Sequence, residues 1–137
     1  MNASTQKKPS GASILLVEDH AETLASMARL LRLEGHTVHT ADGYQAAVDV
    51  AKRERIDIAL CDIGLWDGDG CDLLKELQGL QELKAIAVTG LTLADEVEHY
   101  REEGFAAVLP KPLDLAQLMA AITRLMSSAG GASGGVA

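Results

Sequence analysis

Five polar residues, each at the end of an apolar run, carry the chemistry available to this sequence. Glu18 and Asp19 follow SILLV, Asp62 follows IALC, Thr89 closes KAIAVT, and Lys111 follows AAVLP. Three carboxylates gathered in one cleft repel each other strongly unless a cation sits among them. Hard oxygen donors of this kind suit Mg2+, which keeps several waters and often binds beside a phosphate. Lys111 adds a mobile positive charge and Thr89 a hydroxyl donor. Acid, metal, ammonium and hydroxyl together make a place for a phosphoryl group on a carboxylate, with cations neutralising the charge that develops as the aspartate attacks.

That convergence needs elements to produce it. Short apolar runs at Ser13–Glu18, Thr37–Ala41, Ile56–Cys61, Lys84–Thr89 and Phe105–Leu109 read as strands. Helical spacing fills the intervals: Ala21–Glu34 (Leu24, Met27, Ala28, Leu31), Tyr44–Arg53, Cys71–Gln78, Leu93–Glu103 and Asp114–Met126. Gly35 is placed to end the first helix, and Asp114 with Gln117 reads as a capping box opening the last. The fourth helix has a thin apolar face, mainly Val97 and Tyr100. Strict alternation of strand and helix predicts an α/β fold with a parallel sheet covered on both faces. In such open sheets the ligand site lies beyond the carboxyl ends of the strands, where the strand order reverses. All five chemical residues stand at such ends.

Two tails frame this domain, predicted at 13–127. Met1–Ala12 reads as a flexible lead-in, and 128–137, rich in glycine and serine, as a disordered tail or linker. A net charge of −8 argues against direct nucleic-acid binding and suits cations or basic partners. No apolar run is long enough to span a membrane, and the N-terminus lacks a signal peptide's apolar core, so a cytoplasmic location is expected. Cys61 and Cys71 match no metal or redox spacing, and Cys61 reads as a small buried hydrophobe.

The motifs Val17-Glu18-Asp19, Cys61-Asp62-Ile63, Val88-Thr89-Gly90 and Leu109-Pro110-Lys111-Pro112, in this order and each at a strand end, resemble the receiver domain of bacterial two-component response regulators. The resemblance runs from about Ser13 to Ser127. It implies a flavodoxin-like, doubly wound five-stranded sheet of order 2-1-3-4-5 with five helices. It implies that Asp62 is phosphorylated by a histidine kinase or a histidine phosphotransfer protein. It implies that Glu18, Asp19, Asp62 and the Gly64 backbone carbonyl arrange Mg2+, that Thr89 contacts the phosphoryl group and that Lys111 pairs with it. It also implies a cis Lys111–Pro112 bond. The output would be altered binding to an unknown downstream protein, and the chain would be a phosphoacceptor with slow self-dephosphorylation at most, not a metabolic enzyme. Because the sequence ends soon after the fifth helix, a stand-alone regulator or a hybrid-kinase receiver is expected.

Several residues depart from that family's pattern. Trp66 stands where proline is common; it either folds back to shield the loop or forms an exposed anchor for a partner. Val108 stands where many receivers place Tyr or Phe, so the usual threonine–aromatic relay is in doubt. A muted or differently routed change on the face of helix four, strand five and helix five follows. Pro110 lacks a backbone donor and fits strand five only at a sheet edge. Gly90 suggests a looser loop. Gly64 and Leu91 occupy positions that tune phosphoryl lifetime, and neither side chain activates a water. His20 is expected to start helix one at the surface, His36, His39 and His99 to be exposed, and Asp67, Asp69 and Asp72 to serve turns and helix starts.

Three rival readings fit the residues less well. An aspartate-nucleophile phosphatase usually needs a second carboxylate two residues after the nucleophile, where this chain has Gly64. A flavin module needs a phosphate loop after strand one, where EDHAET would repel an anion. A receiver fold acting by binding alone leaves the acid, threonine and lysine set without a purpose.

Overall fold

The computed structural model describes residues 11–90 and 94–135, with the side chains of the last helix described to Ser127. In chain order the elements are β1 (Ser13–Val17), α1 (Ala21–Leu33), β2 (Thr37–Ala41), α2 (Tyr44–Arg53), β3 (Ile58–Asp62), β4 (Gly64–Leu65), β5 (Gly68–Asp69), α3 (Gly70–Leu80), β6 (Lys84–Thr89), α4 (Ala94–Glu103), β7 (Ala107–Pro110) and α5 (Leu115–Gly135). The five main strands are parallel in the order β2-β1-β3-β6-β7, which is the expected 2-1-3-4-5 once the small β4–β5 ribbon is set aside. Order reverses between β1 and β3, the strands that end on Glu18 and Asp62.

Strand alternation divides the core in two. Leu15, Val17, Ala59, Cys61, Ala85 and Ala87 face α2, α3 and the Tyr100 end of α4, where Leu73, Leu74 and Leu77 are fully buried. Ile14, Leu16, Ile58, Leu60, Ile86 and Val88 face α1 and α5, where Leu31, Leu118 and Ile122 are buried. Both faces of β1, β3 and β6 are therefore apolar, as near-continuous hydrophobic runs require. Cys61 is wholly buried, as expected, and burial, then the charge of Asp62, pushes its thiol up to about 12, which makes it a packing residue and not a nucleophile. Pro110 ends the edge strand β7, where a missing donor is tolerated.

Glycine closes two helices. Gly35, at φ +98°, and Gly104, at φ +117°, take the left-handed conformation that follows α1 and α4. After α1, Gly35 N–H donates to the Arg32 carbonyl and His36 N–H to Leu31; after α4, Gly104 N–H donates to Arg101 and Phe105 N–H to Tyr100. Each is the paired bond set of a Schellman stop. The second fixes Phe105 beside Tyr100, with the rings edge-on at 6.3 Å.

Both expected tails are corrected. The lead-in was expected to run to Ala12, but Gly11 and Ala12 belong to the domain. Ala12 is 1% exposed, and its carbonyl accepts from Thr37 N–H. A Cβ on Gly11 would overlap the Gly35 carbonyl oxygen, so only glycine fits there. At the other end α5 continues to Gly135 instead of stopping near Met126. Once a helix is nucleated, each further residue adds one hydrogen bond, and Ala129 and Ala132 favour extension that the intervening glycines oppose.

His36 and His39 are half-buried rather than exposed, whereas His99 is exposed as expected. His36 Nδ1 accepts the Ala12 N–H at 3.0 Å, a contact that no sequence pattern signals. Burial lowers the His36 pKa below its ordinary 6.5, with the nearby Glu34 charge only partly opposing it. A depressed folded-state pKa stabilises the fold above 6.5, and the contribution is lost as pH falls through the folded-state value. Urea melts across that window are expected to show wild-type stability falling more steeply on acidification than that of His36→Gln. Parallel curves would contradict this.

Candidate functional site

Asp62 is the last residue of β3, one position later than the expected strand end, and the residue is 6% exposed. Its Oδ1 accepts the Gly64 N–H at 3.1 Å, and its Oδ2 accepts from Lys111 Nζ at 2.9 Å. Lys111 is delivered by the turn after β7: its N–H donates to the Thr89 carbonyl at 2.9 Å, and the Lys111–Pro112 bond is cis, as expected. Glu18, one residue beyond β1, is 8% exposed. Glu18, Asp62 and Lys111 line one cavity of about 420 Å³, floored by Leu16, Leu60, Val88 and Met27.

The electrostatics are unbalanced. Burial pulls the Lys111 ammonium pKa down, but the hydrogen bond to Asp62 and the charges of Asp62, Glu18 and Asp19 outweigh it and leave it raised. One ammonium faces three carboxylates. Asp19 lies on the outer side, where carboxylate oxygens of Glu18 and Asp19 and a ring nitrogen of His20 fall within 4.8 Å of one another. His20 is a surface residue at the start of α1, as expected; its N–H binds Glu18 Oε2 at 2.9 Å. The donor set fits Mg2+, because hard carboxylate oxygens predominate and their charge exceeds what Lys111 neutralises.

Of the residues read from sequence, the structure thus brings Glu18, Asp62 and Lys111 together, with Asp19 beside Glu18 and Gly64 on Asp62. Thr89 closes β6 and is 6% exposed; alternation along the strand puts its side chain on the face shared with Ala85 and Ala87. Val108 packs half-buried on that same face. Leu91 lies outside the described residues.

The loop after Asp62 forms a two-residue ribbon, β4 against β5, with Trp66 and Asp67 at its turn. Trp66 does not shield the loop: its indole N–H donates to the Asp42 carbonyl at 3.2 Å while the residue stays 75% exposed. Asp67 does more than make a turn. The N-cap of α2 is Gly43, which has no side chain, and Asp67 caps that helix from across the fold, accepting Tyr44 N–H at 2.6 Å and Gln45 N–H at 3.3 Å. A Cβ at Gly43 would meet Trp66 Nε1 at 2.8 Å and Asp67 Oδ1 at 2.9 Å, so glycine opens the space for this cap. Asp69 caps its own helix α3, as expected. Asp67→Ala is expected to lower stability by about 1 kcal/mol, the usual worth of a cap. Urea denaturation checks it, and a variant as stable as wild type would show the contact to be idle.

The description of the response regulator receiver domain family matches residues 14–123. Among curated relatives, the transcriptional regulatory protein PdtaR of Mycobacterium tuberculosis is 30% identical over 116 residues, covering 83% of this chain and 56% of PdtaR. The polar-differentiation response regulator DivK of Brucella anthropi is 29% identical over 121 residues, covering 85% of this chain and 98% of DivK. Among solved structures, a CheY-like receiver domain protein from Methanospirillum hungatei superposes with a TM-score of 0.79 at 28% identity, covering 88% of this chain and 98% of that one. The chain spans little more than half the length of PdtaR.

Proposed function

The chain belongs to the response regulator receiver domain family of two-component signalling, and from that premise we propose that Asp62 accepts a phosphoryl group from a histidine kinase or a histidine phosphotransfer protein. The observation that carries the reading is the cavity in which two buried carboxylates, Asp62 and Glu18, face a single ammonium.

A carboxylate oxygen of Asp62 forms the new bond to phosphorus. The bond from phosphorus to the donor's imidazole nitrogen breaks, and its electron pair leaves with that nitrogen. Gly64 N–H and Lys111 Nζ hold the carboxylate in a fixed orientation, and the ammonium neutralises charge gathering on the phosphoryl oxygens. Mg2+ bound by Glu18, Asp19, Asp62 and the Gly64 carbonyl would add a second cation at that charge. Gly64 offers no carboxylate to activate water, so the reaction stops at the acyl phosphate; the chain is a phosphoacceptor and not a turnover enzyme. Phosphorylation then changes which downstream protein is bound, in the cytoplasm, with the exposed Trp66 ring as one contact offered to a partner. No described helix is long and apolar enough to cross a membrane.

Incubation with Mg2+ and acetyl phosphate tests the reading. Intact mass is expected to rise by one phosphoryl group, and EDTA to prevent the rise. No adduct with acetyl phosphate or phosphoramidate would overturn it.

A further inference from the structure

The loop after Asp62 is held in place by contacts from outside itself. Residues 63–70 include three glycines, and glycine loses more freedom on ordering than any other residue. The ribbon pairs only Gly64 with Asp69 and Leu65 with Gly68, too little to be stable alone. Yet it carries Gly64, whose N–H donates to Asp62 Oδ1 at 3.1 Å and whose carbonyl is one of the oxygens proposed to hold Mg2+. Leu65, 8% exposed, is anchored in the core on the α2 and α3 side of the sheet. At the turn, Asp67 accepts Tyr44 N–H at 2.6 Å and Gln45 N–H at 3.3 Å, and the Trp66 indole N–H donates to the Asp42 carbonyl. The Tyr44 ring lies so close to Gly68 that a Cβ there would overlap it, and its hydroxyl donates to Glu76 Oε1 on α3 at 2.7 Å. The start of α2 thus grips the turn from several directions.

We propose that Asp67 is a positioning residue for the phosphoryl-transfer site: clamped to the start of α2, it holds the ribbon so that Gly64 is in place before Mg2+ and the phosphodonor arrive. Both Asp67 oxygens are engaged by α2, so it acts through Gly64 and not on the reacting atoms. Proline at 66 would stiffen the same loop through its fixed φ; here a contact across the fold does so. The clamp is a set of hydrogen bonds, so the ribbon has a docked and an undocked form, and only the docked one presents Gly64 to the metal. Apparent Mg2+ affinity is then the docked form's affinity scaled by the docked fraction.

The proposal rests on the phosphoacceptor reading, and its test separates the two. Mg2+ is titrated into the full chain, followed by the amide NMR signals around Asp62, for wild type, Asp67→Ala, Asp67→Asn, Gly43→Ala and Gln81→Met. Phosphoryl uptake from acetyl phosphate is timed by intact mass at rising Mg2+. Asp67→Ala is expected to bind Mg2+ about fivefold more weakly, the factor to which loss of one helix cap corresponds. Its uptake rate is expected to reach the wild-type value at saturating Mg2+, because the metal selects the docked ribbon. Asp67→Asn keeps a capping oxygen and should restore wild-type affinity. Gly43→Ala opposes the clamp from the other side with every carboxylate in place, since its Cβ would meet Trp66 Nε1 at 2.8 Å and Asp67 Oδ1 at 2.9 Å. It should weaken binding as Asp67→Ala does. Gln81, at the opposite end of the sheet, donates to the Ala51 and Glu54 carbonyls and accepts Ile56 N–H. Gln81→Met should lower stability and leave Mg2+ affinity unchanged. Wild-type affinity in Asp67→Ala or in Gly43→Ala would overturn the proposal alone. So would Asp67→Asn as weak as Asp67→Ala, which would trace the loss to charge, or equal weakening in Gln81→Met, which would trace it to general stability. An Asp67→Ala uptake rate that stays below wild type at saturating Mg2+ would put Asp67 in the transfer step itself and overturn a positioning role. A wild-type protein that neither binds Mg2+ nor gains a phosphoryl group would overturn the phosphoacceptor reading and this proposal with it.

Discussion

Asp62→Asn is expected to remain folded and to take up no phosphoryl group from any donor, an all-or-none loss read as an unchanged intact mass. The carboxamide is nearly isosteric and still offers Gly64 N–H an oxygen, so the loop after β3 keeps its anchor. What it lacks is the anionic oxygen pair that attacks phosphorus. The adjacent Cys61 thiol does not substitute: it is wholly buried and pushed up to about 12. The same change removes one of the two buried carboxylates and with it part of their mutual repulsion. Lys111 loses its partner, but its side chain is 39% exposed and returns to water. In Mg2+-free buffer the melting temperature is therefore expected to equal or exceed that of wild type. The rise that Mg2+ produces should shrink, because an oxygen ligand is gone. A phosphoryl adduct on Asp62→Asn would place the nucleophile elsewhere and sink the reading of the site.

The strands and their polar ends were legible because each fact needed only neighbours in sequence. Unbroken apolar runs announce strands buried on both faces, and a charged residue directly after such a run announces the sheet's open edge. What was not legible depended on contacts across the fold. Asp67 looks like any acid in a glycine-rich turn; only the docking of that turn on α2 makes it the cap that Gly43 lacks. Glycine at a helix start, facing an acid 24 residues later, is the faint signal that was there to find. His36 looks like an isolated surface histidine until the Schellman stop at Gly35 turns it under the Ala12 amide. Tyr100 reads as apolar-face material, but nothing in its spacing says that its ring stands edge-on to Phe105. The C-terminal stretch shows the opposite failure: its composition argued for coil, and helix propagation from α5 carried the backbone to Gly135.

Lys111→Met is expected to destabilise the metal-free protein, and Mg2+ is expected to reverse much of that loss. Methionine keeps the unbranched stem and the backbone bond to Thr89, so the change subtracts little more than the charge. In Mg2+-free buffer Asp62 and Glu18 would then face each other with no cation between them. Breaking a fully buried pair costs about 3–5 kcal/mol and an exposed one about 0–1. This pair is mixed, with the lysine side chain 39% exposed and the aspartate 7%. A loss of about 1–3 kcal/mol follows once solvent screening of the lysine is allowed for. The direction of the lysine's own titration agrees. Its pKa is raised in the fold, so it stabilises below its ordinary 10.5 and the contribution fades as pH rises through the folded-state value; Lys111→Met should lack that alkaline loss. Excess Mg2+ supplies positive charge to the same carboxylates, so the gap between variant and wild type should narrow as the metal is titrated in. Urea melts at zero and saturating Mg2+ decide it. A gap of equal size in both buffers would mean that Lys111 and the metal do not share these carboxylates, and the acidic cavity would then need another explanation.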